Sequence, residues 1–373
     1  MISVEQLRMR PDGALLGTAP ALTGAQLVLA FGTGDTMAAD GYLRACSDRF
    51  PGAIVVGCST AGTIAGPASF DDELAVTALR FDHTQVRVAT ASTAAGAHQA
   101  GAAIARQLAD PALVHVLVLS EGINVNGTEL VRGLVAGVAP SVTVTGGLAG
   151  DGDRMEKTLV IADGAARRDH VVAVGFYGDR LHIGHGCMGG WGPFGPEREI
   201  TRADGNVLYE LDGQPALGLY KRYLGAHAEG LPATGLLFPL EIRPPDGGPA
   251  VVRTILGIDE TSGSLRFAGD MPTGHYARLM TASFGRLIEG AHGAAEQTLQ
   301  PGGPRPDLAL LVSCVGRRLL LRQRSDEELE RVRDALGGAP TTGFYSYGEL
   351  CPTGQIGCEL HNQTMTVTTF TET

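Results

Sequence analysis

Side chains able to do chemistry fall in a few short segments. In LHIGHGCMGGW, His182, His185 and Cys187 lie close together. If this segment is a strand, alternation turns His182 away from Ile183, and the glycines around His185 leave space for a flat or bulky partner. His185 is therefore a candidate metal ligand, axial to a haem iron, with Cys187 in the same cofactor pocket; a histidine satisfied by a backbone carbonyl is the plainer alternative. Cys351-x6-Cys358-x2-His361 supplies three zinc-ligand side chains, but a structural zinc site needs a fourth, from a distant group such as Cys187 or Cys314. GCSTAG puts Cys58, Ser59 and Thr60 just past a strand end, where a nucleophile can sit. No histidine or aspartate is placed by sequence to activate it, so hydrogen bonding to a ligand, or packing, is the stronger reading. Asn124, Asn126, Gly147, Asp151, Tyr345, Tyr347 and Glu349 follow other strand ends and could add polar contacts to one mouth. Dinucleotide fingerprints, phosphate-cradling lysine loops, HExxH helices and GxSxG elbows are absent.

The elements that must position these residues repeat. Apolar runs ending in glycine, Gln26 to Gly34, Leu113 to Gly122 and Leu308 to Gly316, read as strands covered on both faces. A helical pattern follows each: Leu130, Val131, Leu134 and Val135 share a face in the second copy, and Ser325 with Glu328 suggests a capping box in the third. A second strand then reaches Gly57, Gly146 or Gly343, at intervals of 23, 24 and 27 residues from Gly34, Gly122 and Gly316. A further strand closes each copy: ELAVTALRF, VVAVGFYG and TMTVTTF. The fold class expected is α/β, with repeated β-α-β-β units forming mixed sheets flanked by helices, in two halves. Parallel crossovers would bring the glycine loops to one rim, where bare backbone can approach a ligand.

Between the second and third copies, a hairpin is expected around RPPDGGP, and Tyr276, Leu279, Met280, Phe284, Leu287, Ile288 and Ala291 fit an amphipathic helix from Gly274 to Ala294. The division expected is an N-terminal segment 1–25, an N-terminal domain 26–225 and a C-terminal domain 226–373, with the break near Gly225.

Composition narrows the partners. The net charge is −11 and 53 residues are glycine, so no broad cationic surface awaits nucleic acid and turns carry unusual weight. Neither a secretory signal nor a membrane span is legible, no membrane insertion is expected, and the six scattered cysteines read as free thiols of a cytoplasmic protein.

GCSTAGTI, SEGINVNGTELVRGL, GGLAGDGDRM, VVAVGFYGD, HGCMGGWGPFGPEREITRADGNVLYELDGQPAL, RFAGDMPTGHYARLM, SCVGRRLLL, and GFYSYGE with CELHNQTMTVTTF together resemble the FIST domain, named for F-box and intracellular signal transduction, in both its halves. The resemblance spans about Gln26 to Phe370. It implies a sensory domain of bacterial signal transduction that binds a small ligand, and its free-standing members include nitric-oxide-sensing haem proteins acting on a partner histidine kinase. On that basis one expectation is a nitric oxide sensor holding haem b without covalent linkage, with His185 as proximal ligand and a histidine kinase as partner. The alternative keeps the fold and holds a small metabolite such as an amino acid in the loops around Cys58 to Thr60, Gly147 to Asp151 and Tyr345 to Glu349. A third class is a thiol-dependent enzyme using Cys58 or Cys187.

Overall fold

The three apolar runs form the strands Leu27–Gly32, Leu113–Ser120 and Leu308–Cys314, here called lead strands. The first and third are buried at every residue because each lies inside a sheet with both neighbours and both faces covered. In the computed structural model, residues 1–16, 21–39, 41–162, 164–353 and 356–373 are described.

Each lead strand pairs in parallel with the strand that follows its crossover helix. Ile54–Ser59 follows Gly41–Arg49, Thr143–Leu148 follows Gly127–Val135, and Thr341–Ser346 follows Ser325–Ala335. One glycine in each second strand is fixed by this pairing. A Cβ on Gly57, Gly146 or Gly343 would sit 1.8, 1.9 or 1.8 Å from the carbonyl oxygen of Ala30, Val118 or Leu311 on the lead strand.

The closing strands Leu74–Phe81, His170–Tyr177 and Met365–Glu372 run antiparallel on the other side of each lead strand. Beyond them lie three outer strands that sequence reasoning did not identify as repeating: Ile2–Met9, Gln85–Ser92 and Leu181–Met188. Ile2–Met9, from the segment 1–25, thus extends the first unit's sheet by pairing with Leu74–Phe81. The hairpin that follows each second strand leaves its own unit. Thr63–Ala65 with Ala68–Phe70 joins the third unit's sheet, Val160–Ala162 with Ala165–Arg167 joins the first, and Gly348–Thr353 with Ile356–His361 joins the second. The exchange is cyclic, so the three sheets are locked into one body.

Residues 189–282, between the third outer strand and its helix, carry all the strands of a further nine-stranded sheet. The expected hairpin forms here, with Leu240–Arg243 antiparallel to Val251–Arg253. The expected helix from Gly274 to Ala294 does not. Tyr276–Ala282 is a strand paired with Leu240–Arg243, and only Phe284–Gln297 is helical. The apolar positions satisfied both periods, and cross-strand pairing decided between them. The break expected at Gly225 cuts one hydrophobic cluster, since Leu211, Leu217 and Tyr220 pack with Leu240, Ile255 and Phe267. The suggested capping box is absent as well. Glu328 is buried in an ion pair with Arg317 rather than folded back on its helix start.

All six cysteines are free thiols. No helix among the described residues is long and apolar enough to cross a membrane.

Candidate functional site

Parallel pairing within each unit and cyclic exchange between units bring loops from all three copies to one rim. After the first lead strand come Thr33 and Asp35, after its partner Thr60 and Ala61, after the second unit's Thr143–Leu148 come Asp151 to Arg154, and after the third lead strand come Val315, Arg318 and Arg322. Backbone bonds seal the junction: Ala61 N donates to Tyr345 O at 2.8 Å, Tyr345 N to Gly62 O at 2.8 Å, Gly150 N to Ser59 O at 2.9 Å, and Tyr347 N to Leu148 O at 3.1 Å.

Above this junction opens a cavity of about 1000 Å³. Among the described residues six aspartates line it, Asp35, Asp71, Asp72, Asp151, Asp153 and Asp326, against three arginines, Arg154, Arg318 and Arg322. Several of these charges are already used. Arg154 holds Asp151 at 2.5 Å, and Lys157 N donates to the same carboxylate at 3.2 Å. Arg318 donates to both oxygens of Asp71 at 2.8 and 2.9 Å and to Ala61 O at 2.7 Å. Asp326 accepts from Ser69 N at 2.9 Å and Ser69 Oγ at 3.1 Å, tying the exchanged hairpin of the first unit to the third unit's helix. Arg322 has neither a side-chain hydrogen bond nor an ion pair among the described residues, and it sits at φ +52°, a conformation costly for a residue with a side chain.

The residues expected from sequence divide between this cavity and the interior beneath it. Thr60 and Asp151 line the cavity. Ser59 is spent on structure, donating to Gly150 O at 2.9 Å and accepting from Leu159 N at 2.9 Å. Cys58 is fully buried, and that burial pushes its thiol well up, away from nucleophilic use. Gly147 makes room for packing, because a Cβ there would lie 2.7 Å from Val312. Tyr347 donates its hydroxyl to Gly152 O at 3.2 Å, supporting the loop that carries Asp151. Tyr345 is buried and donates to Glu328 at 3.2 Å. Asn126 caps the helix Gly127–Val135, accepting from Glu129 N at 3.2 Å and donating to Asp270 at 2.8 Å, while Asn124 reaches Asp169 at 3.5 Å.

Glu349 lies inside and not on the rim. Ser346 Oγ donates to it at 2.5 Å and Thr364 Oγ1 at 2.9 Å, and burial raises its carboxyl to about 8, so it is largely protonated at neutral pH. Nearby, Cys187 accepts a hydrogen bond from the Cys351 thiol and faces His361. These contacts hold the Cys187 thiol well below its usual range despite burial. His361 Nε2 also lies 3.1 Å from Cys351 O. Among the described residues, no three histidine, cysteine or acidic side chains are arranged to hold a metal ion.

His185 stands on the outer strand Leu181–Met188 opposite Thr368, half-buried, with burial lowering its pKa. The space expected from its glycine neighbours is filled. A Cβ on Gly184 would lie 2.3 Å from Thr298 O, and one on Gly186 2.0 Å from Ala294 O. Both glycines admit the end of the helix Phe284–Gln297, and they make no room for a ligand. Among the described residues the cavity lining holds no imidazole or thiol, and it is rich in carboxylates, which suits haem poorly.

Sequence reasoning missed Asp71, Asp72, Asp326, Arg318 and Arg322. The pair Asp71-Asp72 and the acidic start of Ser325–Ala335 were visible, but acidic residues in a first helical turn are also an ordinary helix signal.

Residues 26–214 match the FIST N domain and residues 216–352 the FIST C domain. An uncharacterized protein of Mycobacterium tuberculosis is 27% identical over 248 residues, 62% of each chain. One from Mycobacterium bovis is 26% identical over 223 residues, 57% of this chain and 56% of the relative. This chain therefore spans less than two thirds of the length of the curated relatives it matches. The crystal structure of a cyanuric acid hydrolase from A. caulinodans aligns over 100% of this chain and 99% of its own at 11% identity, with a TM-score of 0.35, too low to bear on chemistry here.

Proposed function

The chain belongs to the FIST family of signal-transduction sensory domains, and from that premise we propose that it senses a small polar metabolite carrying a positive charge, an amino acid or a related amine, in the cavity where its three units meet. One observation carries this reading. The cavity walls come from all three units, and their six aspartates outnumber three arginines, two of which are already paired. Asp72 and Asp153 would take the ammonium group, and Arg322 would take a carboxylate. Because the walls belong to different units, a ligand that bridges them reshapes the loops of the shared rim, and a signalling partner can read that change. A histidine kinase is the partner class that the family suggests.

A thermal-shift screen of the amino acids and their decarboxylated amines tests this. A specific ligand at a hundred times its dissociation constant stabilises the fold by about 2.7 kcal/mol. A basic amino acid should raise the melting midpoint, and Asp153→Asn should weaken that response. Silence across the screen, together with a haem Soret band that changes in His185→Ala, would overturn the reading in favour of a haem sensor.

A further inference from the structure

A second cavity, of about 420 Å³, lies away from the rim, between the helix Gly127–Val135 and the strand Ile356–His361. Val131, Val135, Ala136 and Leu360 give it aliphatic walls, and Arg253 lines it from the end of the strand Val251–Arg253. Arg253 is only 6% exposed. Its Nη1 donates to Leu360 O at 2.8 Å and its Nε to Asp270 O at 3.4 Å, both neutral carbonyls. It makes no ion pair among the described residues. Burial, opposed by the more distant charges of Glu359 and Asp270, lowers its pKa only to about 10, so the guanidinium stays charged at neutral pH.

A cation removed from water and bonded only to carbonyls is costly to keep, and a carboxylate is the partner that would offset the cost with a planar, two-point match. Arg132, the other arginine at this cavity, is 58% exposed and already pairs with Glu129 and Asp270. Among the described residues lining the cavity, Glu359 is the one acid. The buried charge and the aliphatic walls together define a ligand with an anionic head and an apolar body.

We propose that this cavity binds a small monocarboxylate, its head on Arg253 and its hydrocarbon against Val131, Val135 and Leu360. The site joins a helix of the second unit, the exchanged hairpin of the third and the inserted sheet, so its occupant would bridge both family halves.

Isothermal titration of the full chain with octanoate, octylammonium and inorganic phosphate tests it. Octanoate should bind about tenfold or more tightly than either other probe, and Arg253→Met should weaken it by at least about tenfold, as expected for loss of a charge-assisted hydrogen bond. Arg253 also anchors two carbonyls, so Val135→Trp serves as the second variant, filling the apolar half while leaving the guanidinium in place. It should weaken octanoate by about tenfold or more with an unchanged melting midpoint. Octanoate binding no tighter than octylammonium, phosphate binding as tight as octanoate, or undiminished binding in Val135→Trp would each overturn the proposal.

Discussion

Arg317 and Glu328 form an ion pair with both side chains fully buried, Nη2 to Oε2 at 2.8 Å and Nε to Oε2 at 3.1 Å. The carboxylate also accepts from Ser313 Oγ at 3.1 Å and Tyr345 OH at 3.2 Å, and the guanidinium donates to Leu287 O at 2.7 Å and to Gly189 O. One pair thus joins the third lead strand, its parallel partner, both flanking helices and the start of the inserted region. Removing one partner leaves a buried charge alone, at a cost of about 3–5 kcal/mol. Glu328→Ala should lower the unfolding free energy in urea by that measure, far more than Glu327→Ala, whose pair with Arg324 is half-exposed. Equal losses would show the buried pair to be dispensable.

The glycines of the parallel pairs make a sharper test of the fold. Gly343→Ala forces a methyl to 1.8 Å from Leu311 O and should abolish soluble expression. Gly285 lies in the helix Phe284–Gln297, and a Cβ added there would have no neighbour within 4 Å, so Gly285→Ala should stabilise by about 0.5–1 kcal/mol. Soluble yield reports on the first variant and a circular dichroism melt on the second, and a folded, soluble Gly343→Ala would contradict the strand register.

Two buried carboxyls predict opposite pH slopes. Glu349 has its pKa raised by burial from 4.5 to about 8. As pH rises above 4.5 the unfolded chain gives up this proton while the folded chain keeps it, so stability falls until about pH 8 and then levels. Burial would also raise Glu372, but hydrogen bonds from Thr84, Asp82 N and the N-terminal amine outweigh it and hold this carboxyl down to about 2. Its contribution is present above pH 4.5 and is lost as pH falls toward 2. Denaturant titrations across pH should flatten on the alkaline side in Glu349→Gln and on the acid side in Glu372→Gln; unchanged slopes would count against both assignments.

Thiol chemistry, if the protein has any, falls to Cys187. Hydrogen bonds from Cys351 and His361 favour its thiolate, whereas burial pushes Cys46 up to about 12 and Cys58 and Cys314 well up. Iodoacetamide near neutral pH should modify Cys187 first, and His361→Ala should slow that reaction. Peptide mapping that finds uniformly slow labelling would remove the thiol-dependent alternative.

The rim can be separated from stability. Asp71 is half-exposed, so Asp71→Asn should cost less than about 1 kcal/mol in stability. It also releases Arg318 from its carboxylate inside the cavity, so the affinity for a cationic ligand should fall by a larger factor than stability alone explains. Ligand titrations that track only the melting midpoint would argue against a site at this rim.

Strand and helix periods, and glycines at nearly equal intervals, were enough to read three crossover units from the chain, because a lead strand covered on both faces must be apolar throughout and its parallel partner must leave room for a carbonyl. The family likeness was legible for the same reason, since those constraints recur as short motifs. Where each hairpin goes was not legible: Thr63–Ala65 bonds to Thr341–Ser346, nearly three hundred positions away, and a short strand's sequence fits any open edge. That exchange puts Asp71 beside Arg318, and the matching one of Gly348–Thr353 with Thr143–Leu148 carries Glu349 into the interior. Likewise the glycines flanking His185 record close approach without saying of what, and only the packing of Phe284–Gln297 shows that a helix fills the space. The sequence therefore determined the units and their loops through local sterics, while long-range pairing decided which loops meet, which charges face each other and which polar groups are buried.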